Sequence, residues 1–235
     1  MIKAALQYLM SLAPNKLEVL NGQTYSEKQL VRIPELSPNA ILATTLTSMV
    51  DYIKSGYDKK LSENLIIQVV SPIKVELFSE LRNDRSREGY FISQALLPSN
   101  IQYERFLDSE KFNIMLQSSF VGNEHRDLLL KIAGNLVDEA SAEIQDDGVG
   151  QATVIKSGIA SRIKIIVPNP VILAPYRTFS EICQPESKFI FRLKEGANAG
   201  LFEADGGAWR NEAMASIKEY FVEALVEFEN IKVIS

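Results

Sequence analysis

Hydrophobic positions along this chain follow two periods. Spacings of three and four mark helices, and spacings of two mark strands. The longest helical run lies towards the C-terminus. Ala213, Met214, Ile217, Tyr220, Phe221, Ala224, Leu225 and Phe228 fall on one face, with Arg210, Glu212, Ser216, Glu219, Glu223 and Glu227 on the other. At 3.6 residues per turn this predicts a helix of about five turns. Asn230 stops it, and 231–234 reads as a short closing strand. Before it stands Asp205-Gly206-Gly207, where two glycines permit a tight turn and Asp205 is placed to cap the helix. Trp209, the single tryptophan, falls in the first turn.

The rest of the chain reads in the same terms. Ile2, Ala5, Leu6, Leu9 and Leu12 form one helical face, stopped by Pro14-Asn15. Residues 17–20 and 25–33 flank Asn21-Gly22-Gln23 and predict a hairpin, because Asn-Gly suits a type I′ turn. A proline-bearing linker covers 34–38. Residues 40–46 are strand-like, and Thr47 or Ser48 caps a short helix through Lys54, ended by Gly56. A buried strand at 65–70 is broken by Ser71-Pro72. Residues 73–81 and 90–97 then predict a long antiparallel hairpin whose tip, 82–89, is charged. Asp108-Ser109-Glu110 opens a helix through Phe120, and Asn123 caps a long mid-chain helix from Glu124 to about Ile144, ended by Asp146-Asp147-Gly148-Val149-Gly150. Strands are expected at 152–155, 163–167, 171–174 and 189–193, with Gly196 turning the chain back towards Leu201. Helices and strands do not alternate regularly, which argues against a doubly wound parallel sheet. The pattern predicts an α+β fold with a mainly antiparallel sheet, a long mid-chain helix and a long C-terminal amphipathic helix. One domain over 1–235 is expected, with an N-terminal subregion at 1–36.

Composition narrows the chemistry. With 235 residues, 46% hydrophobic and 23% charged, the chain has the make-up of an ordinary globular protein. A net charge of -5 predicts no general attraction to nucleic acid. A lone cysteine, Cys183, rules out an intramolecular disulfide framework, and with a lone histidine, His125, it makes a Cys/His zinc site implausible. No signal-peptide pattern and no apolar run of membrane-spanning length are evident, so no membrane partner and a cytoplasmic location are expected.

Four stretches carry candidate chemistry. The tip Arg82-Asn83-Asp84-Arg85-Ser86-Arg87 places Arg82, Arg85 and Arg87 near Tyr90 and Phe91, a combination suited to nucleic-acid phosphates and bases, although Glu80, Asp84 and Glu88 dilute its charge. A solvated hairpin tip is the plainer reading. The segment Ala174-Pro175-Tyr176-Arg177-Thr178-Phe179 follows Pro168-Asn169-Pro170. Its prolines suit an edge strand or an arm crossing to a neighbouring subunit, with Tyr176 and Phe179 as anchors and Arg177 pairing a carboxylate across the interface. Trp209 and Arg210 extend that set of interaction candidates. Finally, two acidic glycine turns, 146–150 and 203–207, bring Asp146, Asp147, Glu203 and Asp205 into consideration as oxygen ligands. A helix stop and a helix cap are the plainer readings. Neither turn is a P-loop or an EF-hand loop. No cofactor is implied, and no nucleophile–base pair is spelled out by spacing.

The block 112–118, the run from Asp146-Asp147-Gly148 to Lys156-Ser157-Gly158-Ile159, the segments 168–179 and 201–210, and Ser48-Met49-Val50-Asp51-Tyr52-Ile53 together resemble the YfdQ-like group of phage and prophage proteins. That family has no assigned activity, so no residue inherits a role. The resemblance implies a small accessory protein acting in the cytoplasm of a bacterial host. Three functions are compatible with the residues. One is a non-enzymatic accessory protein that self-associates or binds a macromolecule. Another is a single-stranded nucleic-acid-binding protein of phage replication or recombination. The third is a metal-dependent, nucleotide-directed enzyme, which requires the acidic turns to converge.

Overall fold

The apolar stripe at the start of the chain forms α1 (Ile2–Leu12), followed by a hairpin of β1 (Leu17–Leu20) and β2 (Gln23–Ser26) in which Leu17 faces Ser26 and Leu20 faces Gln23. These elements belong to a unit, Met1–Pro38, that is separate from the larger unit Asn39–Ser235. The computed structural model describes residues 2–20, 23–26, 37–58, 61, 63–83, 85–136, 144–146, 151–157, 161–194 and 197–235. The remainder of the expected second strand, beyond Ser26, lies outside them.

The larger unit runs β3 (Ile41–Ala43), α2 (Leu46–Ser55), β4 (Leu65–Ser71), β5 (Lys74–Ser79), β6 (Gly89–Gln94), β7 (Phe106–Asp108), α3 (Ser109–Ser119) and α4 (Glu124–Leu136). It continues with β8 (Ile144–Asp146), β9 (Gln151–Ser157), β10 (Ser161–Ile166), β11 (Val171–Leu173), β12 (Ser187–Lys194), β13 (Asn198–Glu203), α5 (Trp209–Ala224) and β14 (Ile231–Ile234). The fold is α+β.

Two hydrophobic cores organise this unit. In the first, a five-stranded sheet ordered β14-β4-β5-β6-β3 buries Leu65, Ile67 and Val69 with Val75, Leu77 and Phe91. Alternation along each strand puts these on one face. Over them lie Leu46, Met49, Val50 and Ile53 of α2 and Ile217, Phe221 and Leu225 from α5 and its end. The expected C-terminal stripe is thus the core face of α5. β4, β5 and β6 are antiparallel, whereas the edge strands β14 and β3 pair in parallel with β4 and β6. In the second core, an antiparallel sheet ordered β11-β12-β13-β7 turns Phe189, Phe191, Leu193, Ala199 and Leu201 towards Phe112, Met115 and Leu116 of α3 and Leu129, Ile132 and Ala133 of α4. A smaller antiparallel sheet, ordered β10-β9-β8, completes the unit.

Helix ends depart from the pattern reading in instructive ways. Helix α2 is capped by Thr45, not Thr47 or Ser48. Thr45 is extended and its Oγ1 accepts from the Ser48 N–H at 3.3 Å, while Gly56 closes the helix in the left-handed region as expected. Asp108 and Asn123 cap α3 and α4 through the N–H groups of Lys111 and Arg126, at 2.9 and 2.8 Å. The long mid-chain helix does not reach Ile144. α4 is described to Leu136, and Ile144 already pairs with Thr153 in β8. Asp146 is opposite Gln151 in β9, and residues 147–150 of the expected acidic glycine stop lie outside the described residues.

Candidate functional site

The proline-punctuated segment after β11 is a strap that joins the two cores. Its backbone first pairs with the end of α3: the Val121 N–H donates to Ala174 O at 2.9 Å and the Tyr176 N–H to Ser119 O at 2.8 Å. Gln184 then folds back on the strap. Its Oε1 accepts from the N–H groups of Arg177 and Thr178, and its Nε2 donates to Phe179 O. Thr178 Oγ1 donates to Pro72 O in the turn between β4 and β5. Phe179, 1% exposed, enters the first core. Glu181 reaches the N-terminus of α2, where its Oε1 accepts from the Leu46 and Thr47 N–H groups at 2.6 and 3.2 Å. A carboxylate there also meets the positive end of the helix dipole.

Arg177 is the centre of the strap. It is 5% exposed, and its guanidinium donates to Glu203 Oε1 at 3.3 Å, to Ser187 Oγ at 2.6 Å and to Pro185 O at 3.2 Å. It also stacks on Trp209, 4.0 Å from the ring centroid, and Arg210 lies 5.3 Å from the same ring. One indole thus has two guanidinium groups as neighbours. The structure brings together Arg177, Trp209 and Arg210 of the expected interaction residues, and adds Glu203, Ser187 and Tyr103. Tyr103, Asp205 and Trp209 each bury a side-chain polar atom without a partner among the described residues, as does Arg177 at Nε. Burial holds the Tyr103 phenol well above its ordinary range, so it is a neutral hydroxyl, and burial also lowers the affinity of Arg177 for its proton.

Phe179 and Arg177 are turned into their own chain, since a buried aromatic and a guanidinium with three acceptors leave nothing to present outward. Tyr176 alone of that trio keeps an exposed ring. Asp205 does not cap α5. Its Oδ1 accepts from the Gly207 N–H at 2.9 Å, and α5 begins after Ala208 with no side-chain cap. Gly206 and Gly207 both take positive φ, 63° and 82°, as the two-glycine turn requires, and a β-carbon on Gly207 would collide with Arg210.

The arginine tip is divided rather than concerted. Arg82 pairs with Glu88 across the hairpin. Arg87 donates to Ser79 O at 2.9 Å and lies over Phe78 at 5.6 Å. Arg85, with φ of 62°, stands exposed at the turn. The acidic turn at 147–150 and the side chain of Asp146 lie outside the described residues, and among the described residues no three His, Cys, Asp or Glu side chains gather as metal ligands. His125 Nδ1 accepts from the Ile172 N–H at 2.8 Å, and Asn123 Nδ2 donates to Ile172 O at 3.1 Å. Both polar groups of the edge strand β11 at this position are therefore engaged by the start of α4, which blunts that edge.

The N-terminal unit is built differently. Ile2, Leu6, Leu9 and Leu12 on α1 are between 55% and 80% exposed, and Leu17, Val19 and Tyr25 of the hairpin are half exposed or more. The side chain of Asn15 hydrogen-bonds Ser26 at 2.8 Å, joining the end of the helix to β2. Sequence reading identified the stripe on α1 but not its exposure. The short length of the unit was the available signal, because so few residues cannot enclose a core.

No family model, curated protein or solved structure matches this chain. Among the described residues, no helix is long and apolar enough to cross a membrane.

Proposed function

We propose that this protein is a non-enzymatic accessory protein that works by associating with a macromolecule through its N-terminal unit. One observation carries the reading: the large apolar side chains of α1 and the hairpin are exposed together. An 11-residue helix is shorter than isolated helices need to be in water, and a lone two-stranded hairpin is marginal. α1 also has no acidic residue in its first turn and no basic residue in its last, so its dipole receives no local help. A unit of this kind becomes stable when something covers its apolar side chains. The resemblance to phage and prophage proteins gives the context, an accessory role in the cytoplasm of a bacterial host.

The nucleic-acid reading asks for three arginines acting together, and two of them are engaged within their own hairpin. The association reading asks for nothing beyond the exposed stripe. A photo-crosslinking residue in place of Leu9, in the full chain expressed in its host, tests it. Covalent adducts of discrete mass are expected. If the chain crosslinks to no macromolecule at Leu9, while a control at an exposed position of the larger unit behaves in the same way, the reading is wrong.

A further inference from the structure

Resting on the association reading, we propose that the molecule covering the N-terminal unit is a second copy of the same unit, with the two α1 helices packed stripe against stripe about a twofold axis. The spacing makes the stripe complementary to itself. Ile2, Ala5, Leu9 and Leu12 are three, four and three residues apart, which is the a/d seam of a heptad pattern, and Leu6 widens it. Such a seam presents alternating knobs and holes, so a twofold-related copy supplies the matching surface. Ala5 is small and lets the helix axes approach.

Charge separates this occupant from its rivals. α1 carries a single charged side chain, Lys3, and Lys3, Gln7 and Ser11 follow one another at i, i+4 and i+8 on the arc opposite the stripe. No like charges meet when two stripes face each other. An anionic lipid surface or a nucleic acid is recognised by several lysines or arginines beside the apolar face, and the helix offers only one.

The available area suits a dimer when both elements contribute. Ile2, Leu6, Leu9 and Leu12 of the α1 stripe and Leu17 and Val19 on one face of the hairpin are exposed in each copy. At roughly 60–120 Å² of apolar surface per side chain, two copies bring together on the order of 1,000 Å², where specific interfaces begin. The helix alone would fall short of that size, so the hairpin takes part in the contact.

Light scattering on a size-exclusion column, run on the full chain over a range of concentrations, tests the proposal. The expected mass is twice that of the 26.3 kDa chain. Leu6→Glu with Leu9→Glu is expected to weaken dimerisation by at least about 100-fold, because four leucines leave the seam. Gln7→Glu, on the polar arc, is expected to remain a dimer. The doubly substituted chain should keep the thermal unfolding of the larger unit, which separates lost association from lost folding. A wild-type monomer across that range, or a doubly substituted chain that stays dimeric, overturns the proposal. So does pelleting of the wild type with lipid vesicles that the double substitution abolishes. A monomer in solution whose Leu9 still crosslinks to a different macromolecule would overturn the second copy and leave the association reading standing.

Discussion

A guanidinium held between a carboxylate, a hydroxyl, a carbonyl and an indole cannot be exchanged for another cation without loss. Arg177 has this environment, and it is the most heavily engaged buried polar residue of the strap. Replacing it with methionine keeps the length but leaves Glu203 and Ser187 facing an apolar group. Removing one partner of a largely buried ion pair costs about 3 kcal/mol, so Arg177→Met is expected to lower the urea midpoint by a corresponding amount with an unchanged slope. Arg177→Lys is expected to recover little of this, since an ammonium neither stacks flat on Trp209 nor reaches three acceptors in one plane. Nothing near Arg177 in the chain announces the role. Its carboxylate lies 26 residues on and its hydroxyl 10 residues on, so an arginine beside proline and aromatic residues read equally well as an interface residue.

At the scale of elements, periodicity was a sound guide to faces and a poor one to ends. The stripe of α5 and the alternation of β5 became part of the first core, because burial of one face is what a period records. Helix starts depend instead on which acceptor is nearest. For α2 the acceptors are Thr45, close in sequence, and Glu181, 135 residues from Leu46. Glu181→Ala is therefore expected to destabilise the larger unit by about 1 kcal/mol, the usual effect of losing a cap. Glu181→Gln, which keeps an acceptor oxygen, is expected to retain most of that stability. Thermal unfolding of the two variants side by side checks both. The mid-chain helix shows the same limit: Ile144, the expected end of the helix, pairs with Thr153 in a strand.

Across the whole larger unit, stability depends on two cores that share the strap, and on phenols buried beside them. Tyr103, packed against the second core, is raised above its ordinary value chiefly by burial. Tyr52, packed against the first core, is raised by burial and then by its hydrogen bond to Asp58. Both groups hold their protons more tightly when folded. Stability is therefore complete below the unfolded tyrosine value of about 10 and declines as pH rises beyond it, because only the unfolded chain ionises freely. Tyr103→Phe is expected to flatten this alkaline decline relative to the wild type. Denaturant unfolding between neutral pH and pH about 11 measures it, and an unchanged slope in the variant would show that Tyr103 is not the group responsible.

What the sequence determined by itself is what local chemistry can settle: an α+β fold, the apolar face of the C-terminal helix, the hairpin of β5 and β6, and caps at Asp108 and Asn123. Each follows from residues within a few positions of one another. What the tertiary structure alone decided is where the polar and exposed groups ended up. Arg177 and Phe179 turned inward, Arg82 and Arg87 were engaged within their own hairpin, Glu181 crossed to a distant helix, and the stripe of α1 stayed open. Those outcomes depend on which surfaces meet in three dimensions, and a period along the chain carries no information about that.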